Sequence, residues 1–157
     1  MAEGLRDSGI CNSDETAISI SDAINGLSVG GDVDVRTYSP LTLAYLGDAV
    51  YEIVVRTALV KKGNCPVNRL NQMASSLVKA SAQSAVAASI EPLLSDEEAS
   101  VYRRGRNAHS YTMAKNASMS DYRRATGVEA LVGYLYLQGK TDRILELLKA
   151  GLILKKD

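Results

Sequence analysis

The feature that most restricts the fold is an apolar helix interrupted by acid, SPLTLAYLGDAVYEIVVRTALVKK, running from Ser39 to Lys62. Ser39 is suited to cap it, Pro40 to the first helical position, and Gly63 follows as a stop. Leu41, Leu43, Leu46, Val50, Ile53, Val54 and Leu59 cover nearly every side, a pattern that places the helix inside a domain. Yet Asp48 stands at its centre beside Gly47, with Glu52 one turn on. An ionised carboxylate among Leu and Val side chains is costly unless it meets a cation, a metal or strong donors. What Asp48 meets therefore governs any functional reading.

The rest of the chain reads as more helix. Gly63-Asn64-Cys65-Pro66 makes a turn. Helical spacing of Leu70, Met73, Ala74, Leu77, Val78, Ala82, Ala85 and Val86 predicts one helix from about Val67 to Ala88. After Pro92, Ser95-Asp96-Glu97-Glu98 fits a capping box opening a helix that ends near Arg104-Gly105. Arg106 to Ser118 is polar and aperiodic, and reads as a loop. Ser120-Asp121 is suited to cap YRRATGVEALVGYLYLQ, which Gly139 ends, and Thr141-Asp142 starts the amphipathic RILELLKAGLIL. With no strand pattern and no internal repeat, the expectation is an all-α domain of about five or six helices.

A chain of 157 residues suits one domain with a single core, or a domain plus a tail. Residues 1–36 are rich in Ser, Gly, Asp and Asn and read as a loose arm holding one short helix before Gly30-Gly31, and residues 37–157 as the domain. The zero net charge hides an asymmetry. The arm holds seven acids and two bases, a net of −5, so the body carries +5 and hints at a polyanionic partner. Two cysteines, Cys11 and Cys65, are too few for a disulfide scaffold or a zinc site, which fits a reducing cytosol. No apolar stretch is long and charge-free enough to span a bilayer, and the N-terminus has no signal-peptide pattern.

Glu129 repeats the puzzle of Asp48, set between Val128 and Ala130 in another apolar helix. Small residues flank each acid: Ala44, Gly47 and Ala49 around one, Ala125, Gly127, Ala130 and Gly133 around the other. Two such helices are able to approach closely and bring the acids together. Unneutralised, the pair would repel and one would take up a proton. Mg²⁺ answers both difficulties, because it prefers hard oxygen ligands, keeps several waters and needs only one or two protein carboxylates. The alternative is that each acid pairs with an arginine or receives backbone hydrogen bonds. Glu52 reads as structural, four residues before Arg56 and placed for a surface ion pair. Arg103, Arg104, Arg106 and Asn107 form a cluster suited to gripping phosphates, with Lys115, Arg123 and Arg124 adding charge. The bland reading of Arg103 and Arg104 is a favourable interaction with a helix C-terminus. His109, the single histidine, has no partner for a catalytic triad.

LAYLGDAVYE resembles the signature helix of the ribonuclease III catalytic domain, and ATGVEALVGYLYL resembles its second acidic helix. RRGRNAHS and the brevity of the chain resemble Mini-III, a subgroup that has the catalytic domain without a separate double-stranded RNA-binding domain. The likeness runs from about Tyr38 to Leu152. It implies an all-α homodimeric helical bundle, cytoplasmic, that cuts double-stranded RNA with Mg²⁺ to leave 5′-phosphate and 3′-hydroxyl ends. It further implies maturation of the large-subunit (23S) ribosomal RNA precursor, and it admits a ribosomal protein that presents the substrate. Asp48 and Glu129 match the family's metal-binding, catalytic carboxylates. Arg103, Arg104, Arg106 and Asn107 fall in its basic segment, and Lys115 and Arg123 join them as RNA-binding residues. Full-length members usually carry two further acids, where this chain has Ala44 and Thr126; Mini-III also lacks them. Two other classes stand beside this one: a non-catalytic RNA- or ribosome-binding module of the same fold, and an all-α Mg²⁺ nucleotide hydrolase. Intact Asp48 and Glu129 count against the first, and the small number of acids against the second.

Overall fold

The computed structural model describes residues 19–27, 33–109 and 118–152, and every regular element among them is helical. In chain order these are α1 (Ile20–Asn25), α2 (Pro40–Lys61), α3 (Val67–Val78), α4 (Ala80–Ile90), α5 (Asp96–Asn107), α6 (Met119–Leu137) and α7 (Thr141–Gly151). Short 3-10 turns at Val35–Thr37 and Glu91–Leu93 join them. The all-α expectation holds, and α1 is the short helix expected in the arm.

The hub is α6. Its residues from Ala125 to Leu135 are buried apart from the half-buried Glu129, and it packs against α2, α4, α5 and α7. That corrects the expectation of an α2 enclosed on every side. Leu43, Ala44, Gly47, Tyr51, Val55 and Leu59 form one buried stripe at helical spacing. The opposite face leaves Leu41 at 38% exposure, Tyr45 at 86%, Ile53 at 67% and Val60 at 60%. The ends of α2 follow the sequence: the Ser39 hydroxyl accepts from Thr42 N–H at 3.2 Å, Pro40 is first in the helix, and Gly63 turns away at φ 138°.

Three boundaries differ from expectation. The helix predicted over Val67–Ala88 breaks at Lys79, which is extended at φ −61°, ψ 155°. The break survives because side chains from elsewhere serve the freed carbonyls of α3. Tyr51 O–H donates to Leu77 O at 3.2 Å, and Gln83 Nε2 donates to Val78 O at 3.0 Å. The helix opened by Ser95 runs on to Asn107, so Arg106 and Asn107 lie in its last turn rather than in a loop. The cap of α6 is Ser118, whose hydroxyl accepts from Asp121 N–H at 3.0 Å; Ser120 lies inside the helix. The core itself is aliphatic and tyrosine-rich. Tyr102 donates to Glu91 Oε1 at 2.9 Å and Tyr134 to Glu97, so each phenol meets an acceptor.

Candidate active site

The two acids arrive on helices that touch main chain to main chain. A Cβ on Gly47 would lie 2.6 Å from the Glu129 carbonyl carbon and closer still to its oxygen. One on Gly133 would lie 2.9 Å from the Leu43 carbonyl carbon. Only glycine at these two positions lets α2 and α6 cross so closely. Asp48 and Glu129 leave that crossing together, and both line one open cleft of about 750 Å³. Leu41, Tyr45, Ala49, Tyr122, Ala44 and Thr126 share its walls.

Their electrostatics differ. Burial pushes the Glu129 carboxyl up to about 7; a hydrogen bond donated by Gln83 Nε2 at 2.9 Å opposes that rise, and the charge of Asp48 adds to it. Asp48 is exposed, yet its carboxyl is also raised, by partial burial first and by Glu52 second. Tyr51, sealed beneath them, is pushed up to about 12 by burial and by the charge of Glu129. Ion pairs among the described residues join Arg36 to Asp34, Arg56 to Glu52, and Arg143 to both Glu98 and Glu146. The Glu52–Arg56 pair, at 3.0 Å, is the surface pair expected of that spacing. Among the described residues neither Asp48 nor Glu129 meets an arginine or a backbone donor; Glu129 accepts from Gln83 alone.

No group of three or more His, Cys, Asp or Glu side chains assembles as a metal-binding set among the described residues. What the cleft offers is two carboxylates from separate helices, facing the same space without a cationic partner among those residues. That donor set suits a hard divalent ion that keeps much of its water shell.

A second concavity, about 320 Å³, opens between the end of α5 and the start of α6. Arg106, Asn107, Ser120, Arg123 and Arg124 line it. The Arg106 guanidinium sits 5.8 Å from the centre of the Tyr102 ring, which holds it over an aromatic face. Three of the expected RNA-binding residues are thus brought together: Arg106, Asn107 and Arg123. Arg103 and Arg104 are exposed on α5 and do not line this pocket, and Arg104 Nη2 donates to Tyr38 O at 3.4 Å. Lys115 lies outside the described residues.

Residues 41–140 match the Ribonuclease III domain. A Mini-ribonuclease 3 from Clostridium tetani is 48% identical over 117 residues, covering 74% of this chain and 78% of its own length. One from Brevibacillus brevis is 48% identical over 116 residues, covering 74% and 87%. The chain belongs to the ribonuclease III family. A crystal structure of a protein from Fusobacterium nucleatum shares the fold of this ribonuclease III protein, with a TM-score of 0.68 and 30% identity over 75% of this chain and 91% of that one.

In this ribonuclease III chain, Ala44 and Thr126 line the same cleft as Asp48 and Glu129. Thr126 spends its hydroxyl on Tyr122 O at 3.0 Å, and Ala44 has nothing to offer a cation. The sequence did not point to Gln83, Tyr122 or Ser120 as site residues. For Gln83 a signal existed: it is the one long polar side chain in ASAQSAVAASI.

Proposed function

We propose that the protein is a Mg²⁺-dependent endoribonuclease that cuts double-stranded RNA, leaving 5′-phosphate and 3′-hydroxyl ends, and that its substrate is the large-subunit (23S) ribosomal RNA precursor. The observation that carries this is the convergence of Asp48 and Glu129, from α2 and α6, on one cleft in a chain of the ribonuclease III family. The catalytic unit is residues 37–157, preceded by the acidic arm.

Asp48 and Glu129 would hold the ion. The chemistry it supplies when bound is activation of water and stabilisation of charge developing on the phosphate. Cleavage breaks the bond from phosphorus to the 3′ oxygen: water adds to phosphorus and the leaving oxygen takes a proton. The chain's own residues supply position. Arg106, Asn107, Arg123 and Arg124 line an open pocket with amide and fork-shaped guanidinium donors suited to phosphates, and Ser120 adds a hydroxyl. Recognition of an A-form duplex through such contacts rests on shape, phosphates and 2′-hydroxyls, and weakens as salt rises. Arg103, Arg104 and Lys115 are the further RNA-binding residues of this reading.

The protein acts as a homodimer in the cytoplasm. The outward face of α2 supports that assembly: Leu41, Tyr45, Ala49 and Ile53 recur every four residues as an exposed apolar stripe that runs from the cleft wall, which the first three line, to Ile53 outside it. A ribosomal protein that presents the precursor is the further partner. No helix among the described residues is long and apolar enough to cross a membrane.

The test is incubation with labelled duplex RNA, single-stranded RNA and nucleoside triphosphates, with Mg²⁺ or with chelator. Cutting of the duplex alone, lost with chelator and lost in Asp48→Asn with RNA binding retained, is expected. Undiminished cutting by Asp48→Asn, or equal cutting of single strands, would refute the proposal.

A further inference from the structure

We infer that Gln83 is a positioning residue for Glu129: its side-chain amide fixes which carboxylate oxygen faces the cleft and so prepares Glu129 for a divalent cation. The inference rests on the reading of Glu129 as a metal ligand.

Gln83 lies in the first turn of α4 and is only 2% exposed. Its Nε2 carries two hydrogens and finds two acceptors, Val78 O at 3.0 Å and Glu129 Oε1 at 2.9 Å. The amide has one workable orientation, since turning it over would set Oε1 against a carbonyl and a carboxylate. The bond to Val78 O anchors the amide to the end of α3. The bond to Glu129 then occupies Oε1, and no donor among the described residues is bonded to Oε2. Glu129 is thereby held at both ends, by Gly47 against its carbonyl group and by Gln83 against its carboxylate.

The other half of the amide shows what this arrangement is for. Gln83 Oε1 is buried with no hydrogen-bond partner among the described residues. A buried polar atom left unpaired works against stability, and a leucine or methionine would fill the same volume without that cost. Elsewhere α4 is filled with small and aliphatic residues. The amide is explained by what its nitrogen does, serving Val78 O at the break between α3 and α4 and orienting Glu129 at the cleft. In metal sites generally, groups that orient a ligand affect ion affinity tenfold to a hundredfold when removed.

The experiment uses Mn²⁺ as the probe, counted by the electron paramagnetic resonance of the free ion, with the full chain and no RNA. Gln83→Leu and Gln83→Met are each expected to weaken Mn²⁺ binding by about tenfold, while staying folded with a modestly lowered melting temperature, since Val78 O loses its donor. In a Glu129→Gln background the same substitutions are expected to change Mn²⁺ affinity no further, because Gln83 acts through Glu129. Duplex cutting should follow, its half-saturating Mn²⁺ concentration rising in step while the rate at saturating ion recovers. Parental Mn²⁺ affinity in both Gln83 variants overturns the inference, and so does an additive loss in the Glu129→Gln background. Unfolding of both variants overturns it too, by making the amide structural. If Glu129→Gln itself binds Mn²⁺ like the parent, it is the ligand reading of Glu129 that fails. If that variant loses affinity and the Gln83 variants do not, only the role of Gln83 fails.

Discussion

Replacing Glu129 by glutamine should stabilise the metal-free protein above neutral pH and leave it nearly unchanged in weak acid. The carboxyl holds its proton up to about pH 7 in the folded chain, against an ordinary value of 4.5. Folded protein therefore binds more protons than unfolded protein between those two values, so stability falls as pH rises through the window and levels off above it. At about 1.4 kcal/mol per pH decade the ceiling is roughly 3 kcal/mol. Glu129 is half-buried at the wall of an open cleft, where water screens it, and an effect of about 2 kcal/mol is the reasonable expectation. Glutamine keeps an oxygen able to accept from Gln83 and carries no charge to desolvate. Urea denaturation of both proteins with chelator at pH 4.5, 6 and 8 measures the effect. The variant's advantage should grow by about 2 kcal/mol from the first pH to the last. Added Mg²⁺ at pH 8 should raise the parent selectively, since an ion that binds only the folded chain stabilises it by mass action. An advantage that is the same at pH 4.5 and pH 8 would refute the argument that burial and the charge of Asp48 raise this carboxyl.

Gly47→Ala forces a Cβ into the Glu129 carbonyl group and should cost more than about 3 kcal/mol, because the obstruction is backbone and not a movable side chain; an unchanged melting temperature would show that the helices do not cross this closely. Tyr51→Phe removes the donor to Leu77 O and should cost about 1 kcal/mol in denaturant titrations, with faster amide exchange at the α3–α4 joint; unaltered exchange there would mean the phenol does not hold the joint. Arg106→Ala should weaken duplex binding and lower the slope of log affinity against log salt by about 1; an unaltered slope would mean that Arg106 makes no phosphate contact.

Much of this architecture could be read from local chemistry. Ser39, Pro40 and Gly63 bound α2 because capping and backbone preference act within a few residues. The pairing of Glu52 with Arg56 follows from helical spacing alone. Asp48 and Glu129 stood out because a charge among aliphatic residues demands an explanation. What escaped the sequence was decided at a distance. Lys79 breaks a continuous helical pattern because Tyr51 and Gln83, from other segments, satisfy the carbonyls that the break exposes. Leu41 and Ile53 look like core by composition, and only the placement of α6 shows that they point outward. Arg106 and Asn107 read as loop because their polarity hides the helical turn that aims them toward Arg123.

The crossing at Gly47 and Gly133 has a consequence for how such a protein can change over generations. Side chains in a core drift and repack, each exchange shifting its neighbours by fractions of an ångström. Peptide groups in direct touch have no such latitude, since their dimensions are the same in every protein. The gap between the helices that bear the two acids is therefore insulated from much of the variation around it, and a lineage should lose thermal robustness well before it loses the spacing of its acids.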